Sequence, residues 1–201
     1  MSNKQNYELF PTLLTKYSDI LNDKQCKDIY NYCLKKDQKD YELLFGPGKS
    51  SYSLQSNIIN DIGKEVLSCN KFDIFIQNLI NQYTSEINLS NITVQNSWFN
   101  IQNEDSILMQ HYHPMSVLSA AIYVNVDENS SKIYFENPNN IVRHLNSYRG
   151  EAQNYNRFND EFFWFNVKQG DIIIFPSHIK HGSLYTQNKT KNRLVISLNA
   201  I

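Results

Sequence analysis

Gly170-Asp-Ile-Ile-Ile-Phe175-Pro176-Ser-His-Ile-Lys-His181 opens on a turn glycine, runs through four apolar residues and stops at a proline. A run this short, bounded by turn residues and rich in β-branched side chains, reads as a buried strand rather than a helix. Segments of the same kind lie on both sides of it. Residues 94–101, 117–126, 132–136, 162–167, 171–175, 182–185 and 193–200 are β-branched or aromatic and are bounded by Asn, Gly, Pro and Ser. Many short strands with no helical pattern between them predict a mainly β fold, a double-stranded β-helix of the jelly-roll, cupin-like kind.

Upstream of residue 94 the hydrophobic period is that of helices. Asn22-Asp-Lys-Gln25 resembles a capping box, and Cys26, Ile29, Tyr30, Cys33 and Leu34 then fall on one face. Asn70-x-x-Asp73 opens a second helix with an apolar stripe of Phe72, Phe75, Ile76, Leu79, Ile80 and Tyr83. A shorter helix fits near residues 58–67, and Gly46-Pro-Gly48 marks a loop. The expected arrangement is one domain, with residues 1–93 as helical support packed on one sheet from outside and 94–201 as the β core. Residues 137–161, Asn-rich and holding Arg143, Arg149 and Arg157, interrupt the strands as a long loop of the kind that carries function or lacks order.

The 201-residue chain is long enough for a substantial core, and its net charge of −1 is spread along the sequence. Nothing in that charge pattern points to nucleic acid. No apolar stretch is long enough to span a membrane. Cys26, Cys33 and Cys69 lack metal-ligand spacing, and the first two fit a helix core as small hydrophobes. An odd thiol count without a secretory leader predicts a cytoplasmic protein.

Of five histidines, four lie in two short segments: His111 and His113, then His178 and His181. In an extended chain His111 and His113 share a face about 6–7 Å apart and can converge on one ion. Neutral imidazole suits Fe, Zn, Cu and Ni. An isolated His-x-His pair is more often a pair of hydrogen-bonded surface or core histidines, and the distal His181 is what favours a metal. His178, in the loop before it, suits a supporting place behind a ligand. Arg193 heads an apolar strand whose inward set is Arg193, Val195, Ser197 and Asn199. A guanidinium there either points to solvent, finds a salt-bridge partner at the strand edge, or meets a bound carboxylate, which its fork can grip bidentately.

The order of these parts resembles the iron(II)/2-oxoglutarate-dependent oxygenases. It is most similar to a His-x-His-Pro family common in tailed phages and marine bacteria. The matching residues are Trp98-Phe-Asn100, His111-Tyr-His-Pro-Met-Ser116-Val-Leu-Ser119-Ala-Ala-Ile-Tyr123-Val, and Phe135-Glu-Asn-Pro138. They continue with Gly170 to His181 and with Arg193-Leu-Val-Ile-Ser197-Leu-Asn199. The richness in Asn, Lys, Ile and Tyr suits the AT-rich genomes of such sources. The resemblance covers the C-terminal half. It departs from the wider superfamily twice: His113 stands where a carboxylate ligand is usual, and Val195 stands where the serine of Arg-x-Ser is usual.

The resemblance implies Fe(II) held by His111, His113 and His181. It also implies 2-oxoglutarate and dioxygen as cosubstrates, with Arg193 on the distal carboxylate of 2-oxoglutarate, helped by Tyr123 or Ser197. Ser119 and Asn199, inward on their strands, belong to the same expected pocket. Trp98 and Asn100 are candidates for the rim that meets an unidentified prime substrate, although Trp98 and Trp164 also suit a structural role. Three readings stay open: a 2-oxoglutarate oxygenase acting as a hydroxylase, a cupin-type three-His metalloenzyme without 2-oxoglutarate, and a non-catalytic jelly-roll binding module.

Overall fold

The computed structural model describes residues 5, 10–54, 57–67, 71–139 and 156–201. Cys69, Asn70, Arg143, Arg149 and most of the polar N-terminal stretch lie outside the described residues. In chain order the elements are β1 (Thr15–Tyr17), α1 (Asp23–Cys33), β2 (Leu44–Phe45), β3 (Gly48–Ser50), α2 (Ile58–Asp61) and α3 (Phe72–Glu86). Eight strands follow: β4 (Val94–Gln102), β5 (Ile107–Leu108), β6 (Leu118–Asn125), β7 (Ile133–Glu136), β8 (Phe162–Phe165), β9 (Ile172–Pro176), β10 (His181–Gly182) and β11 (Arg193–Ala200). A six-stranded sheet runs β1-β9-β6-β11-β4-β3, a three-stranded sheet runs β10-β7-β8, and β2 pairs with β5. All these strand pairs are antiparallel. The architecture is the expected jelly roll, mainly β.

The large sheet is buried on both faces, which explains why its central strands are apolar without obvious alternation. Ile172 and Ile174 of β9 pack outward with Ile122, Ile196 and Leu198 against Cys26, Ile29, Ile76 and Ile80 of the helices. Ile173 and Phe175 point the other way, with Ala121, Tyr123 and Val195, towards Ile133 and Phe135 of the small sheet. Period two is therefore present in β9, hidden because both sides are hydrophobic. The helices cover the outer face of the large sheet, and the space between the two sheets is left for a site.

Local chemistry fixes the helices in place. Gln25 N–H donates to Asn22 Oδ1 and Asn22 N–H donates to Gln25 Oε1, each at 2.9 Å, completing the capping box at the start of α1. Ser97 Oγ accepts from Ile59 N–H at 3.0 Å and donates to Asn57 Oδ1 at 2.9 Å, tying α2 to β4. Past α2 the chain widens into a π-turn, Ile62–Val66. Gly170 turns into β9 with φ +86°, and a Cβ there would lie 2.3 Å from the Leu21 carbonyl, so only glycine fits.

The first ninety residues are less helical than their pattern predicts. Strands β1 and β3 extend the large sheet at its two edges, and Gly48, expected in a loop, begins β3. Elements of three residues carry too little periodicity to be read. The strand expected over 182–185 is only His181–Gly182. Ser183 leaves the sheet because its backbone N–H donates to the Leu108 carbonyl and its hydroxyl accepts from Leu108 N–H.

Candidate functional site

His111 precedes the turn that leads into β6, and His181 forms the start of β10. Their backbones exchange two hydrogen bonds of 2.9 Å, so the two segments are clamped face to face. His113 N–H donates to the Ser177 carbonyl at 2.9 Å, which brings the third ring alongside. The ring centroids of His111, His113 and His181 lie 4.4–5.1 Å apart. One nitrogen from each ring lies within 4.8 Å of the others.

Which nitrogen faces inward follows from the other one. His111 Nδ1 is 2.8 Å from the Met109 carbonyl, His181 Nδ1 is 2.9 Å from the Ile179 carbonyl, and His113 Nδ1 is 2.6 Å from Asn199 Oδ1. Each of these partners is an acceptor, so each Nδ1 carries the proton and each Nε2 keeps a free lone pair. His113 Nε2 is buried with no partner. Such a set of three converging lone pairs fits a metal ion with open positions.

Electrostatics favours the same state. Burial pushes His113 down to about 4, helped by the neighbouring His111 and opposed by the Asn199 contact. Burial, then His111 and His113, holds His181 well below its usual value. Burial also lowers His111, against the Met109 carbonyl. The imidazoles are neutral and ready to coordinate without losing a proton.

A cavity between the sheets is lined by the three histidines together with Trp98, Asn100, Gln102, Tyr123, Arg193 and Ser197. Arg193 is buried, and among the described residues no carboxylate lies within ion-pair distance of it. Its guanidinium lies 5.9 Å from the centre of the Tyr123 ring and donates through Nη1 to Gln102 Oε1. Burial lowers the guanidinium from its ordinary value, with Tyr123 opposing the shift; arginine stays charged regardless. Burial raises the Tyr123 phenol, against the pull of Arg193, so it is a neutral hydroxyl. Arg193 Nε, the Tyr123 hydroxyl, Gln102 Nε2, Asn100 Oδ1 and Trp98 Nε1 are all buried without a hydrogen-bond partner. Unpaired buried polar groups are costly, and their concentration in one cavity marks a place built for a polar ligand.

Ser119 and Asn199 do not line the cavity but stand behind His113, where Ser119 Oγ donates to Asn199 Oδ1 at 2.9 Å and meets Ser177 Oγ at 2.7 Å. Ser197 accepts from Asn100 Nδ2 at 3.4 Å. Trp98 lies tilted beside His113, with ring centroids 5.7 Å apart, whereas Trp164 is 41 % exposed on β8 and is not among the cavity-lining residues. His178 is exposed and supports none of the three rings. Two cavity residues, Tyr41 and Gln102, were not legible as site residues. Gln102 shares its parity with Trp98 and Asn100, but the strand expected to end at residue 101 runs one residue further.

Residues 96–199 match the model of a protein family described as "Putative 2OG-Fe(II) oxygenase". No curated protein matches the chain in sequence. Among solved structures, HygX from Streptomyces hygroscopicus, crystallised with nickel and 2-oxoglutarate, is similar with a TM-score of 0.60 at 10 % identity, over 94 % of this chain and 82 % of that one. A Pseudomonas putida prolyl-4-hydroxylase gives a TM-score of 0.60 at 11 % identity, over 94 % and 92 %. The viral collagen prolyl hydroxylase of Paramecium Bursaria Chlorella virus-1, in its 2OG complex, gives 0.53 at 10 %, over 93 % and 94 %. At such identities the likeness is one of fold.

Proposed function

The chain belongs to the 2OG-Fe(II) oxygenase family, whose model spans just over half of it, and on that premise we propose that it is a hydroxylase whose iron is held by His111, His113 and His181 through Nε2. Arg193, with Tyr123 and Ser197, holds the distal carboxylate of 2-oxoglutarate. Iron, 2-oxoglutarate and dioxygen supply the oxidising chemistry, with release of carbon dioxide and succinate.

The chain's own residues do the positioning. The carbonyls of Met109 and Ile179 and the Asn199 carboxamide fix the three ring orientations. Neutral rings would leave a bound metal its full charge, unlike a set that includes a carboxylate. Arg193, buried and without an acid partner among the described residues, offers a fork to a carboxylate. Phe175, Ile133 and Val195 give the space between them apolar walls. The observation that carries this reading is the presence, in one cavity, of three convergent imidazoles and a buried guanidinium lacking a counter-ion. Trp98, whose ring centre lies 5.7 Å from that of His113, and Asn100, which lines the same cavity, are the residues we assign to the prime substrate.

The test is mass spectrometry of candidate substrates incubated with the protein, Fe(II), 2-oxoglutarate and labelled dioxygen. A hydroxylase places one labelled oxygen in the product and one in succinate. Labelled succinate together with an oxidised product that gains no oxygen would replace hydroxylation by another oxidation.

A further inference from the structure

Arg193 and Gln102 are register partners across β11 and β4. Because arginine can only donate, the bond from Arg193 Nη1 settles which way the Gln102 amide points: Oε1 towards the guanidinium and Nε2 away from it. Gln102 is 1 % exposed, and its Nε2 has no acceptor. Arg193 Nε and the Tyr123 hydroxyl, also unpartnered, line the same cavity. Arg193 Nε, Gln102 Nε2 and the Tyr123 hydroxyl can all donate, and the one charge is positive; the unpartnered acceptor, Asn100 Oδ1, lies one inward position further along β4. The missing group accepts several hydrogen bonds and is negative, which describes a carboxylate.

Val195, two residues after the arginine and inward on the same strand, is apolar and offers no donor. Ser197, one inward position further on, accepts from Asn100 Nδ2 and keeps its own O–H to donate. Resting on the reading that 2-oxoglutarate occupies this cavity, we propose that Gln102 is a specificity-determining residue for the cosubstrate: its Oε1 orients the Arg193 fork, and its Nε2 donates to the distal carboxylate. Its neutrality matters as much as its shape. A carboxylate at this position would pair with Arg193 and cancel the charge that the ligand needs.

The experiment uses Gln102→Glu, which keeps the size of the side chain, and Gln102→Leu, which removes both the amide oxygen and the amide nitrogen without adding charge. Each protein is loaded with Ni(II) in place of Fe(II), so that nothing turns over. It is then titrated with 2-oxoglutarate and with 2-oxobutyrate, an oxo acid that lacks the distal carboxylate. Gln102→Glu is expected to bind 2-oxoglutarate about tenfold or more weakly than wild type, the loss of one charge-assisted contact. Its affinities for Ni(II) and 2-oxobutyrate should stay within about twofold, because neither ligand reaches Arg193. Gln102→Leu should fall between the two proteins, and it carries the test alone if the glutamate variant melts below the assay temperature. Unchanged 2-oxoglutarate affinity in the variants, or equal loss of both oxo acids, overturns the role of Gln102. A nickel-loaded wild type with no preference for 2-oxoglutarate over 2-oxobutyrate overturns the cosubstrate reading itself.

Discussion

His113 is held from behind by Asn199: its Nδ1 lies 2.6 Å from Asn199 Oδ1, which also accepts from Ser119 Oγ at 2.9 Å. The two residues are far apart in sequence, and only the placement of β11 beside β6 brings them together. Asn199→Ala removes the acceptor that fixes the ring and its tautomer. Metal affinity is expected to fall about 10–100-fold, measured by competition with a chelator. Asn199→Asp, which keeps an acceptor, should lose much less. Equal affinity in wild type and the alanine variant would remove Asn199 from the account.

Arg193→Ala separates cosubstrate from metal. Losing a buried charge-assisted contact costs roughly 2–5 kcal/mol, so 2-oxoglutarate should bind tens-fold or more weakly. Metal binding should persist, because the imidazoles are untouched. Calorimetric titration with each ligand checks both halves.

Ile196 is fully buried on the outer face of β11, against the helices. Ile196→Ala should lower unfolding free energy by about 2–5 kcal/mol. Asn22→Ala, which removes a helix cap, should cost about 1 kcal/mol. Urea unfolding followed by circular dichroism ranks the two, and the reverse order would mean that the helix–sheet interface is not the main core.

Burial pushes the Cys33 thiol up to about 12 and the Cys26 thiol up to about 11, with Asp23 adding to the latter. Their folded values lie above the unfolded value of 9.0. The stability they contribute is complete below that value and is lost as pH rises towards the folded values. Thermal melting should therefore decline from about pH 9 upward more steeply in wild type than in a Cys26→Ala/Cys33→Ala variant. Native protein at neutral pH should leave both thiols unalkylated by iodoacetamide, as peptide mapping would show.

The strands that carry the site were legible because each is an apolar run between turn residues; residues 193–200 were read at the bounds that β11 has. The convergence of His111, His113 and His181 was expected from the shared parity of the first two, the distal third and the family resemblance that ties them to one ion; clustering alone would not have set His178 aside. Depth along a strand was not. Ser119 and Asn199 share the inward parity of Tyr123 and Arg193, yet they end behind a ring rather than in the cavity, since parity gives a face and not a position along the barrel. Gln102 matters through its register partner Arg193, and a pairing between distant strands has no local signature. Strands β1 and β3, at three residues each, are fixed by the sheet edges they cap rather than by any pattern of their own.

The most direct measurement is an anaerobic titration of 2-oxoglutarate into wild-type protein, with and without Fe(II), repeated with His181→Ala. One equivalent of metal per chain, and 2-oxoglutarate binding that requires that metal and is lost in His181→Ala, is the expected result. Metal binding that survives removal of His181, together with 2-oxoglutarate binding indifferent to metal, would contradict the three-imidazole centre on which the account rests.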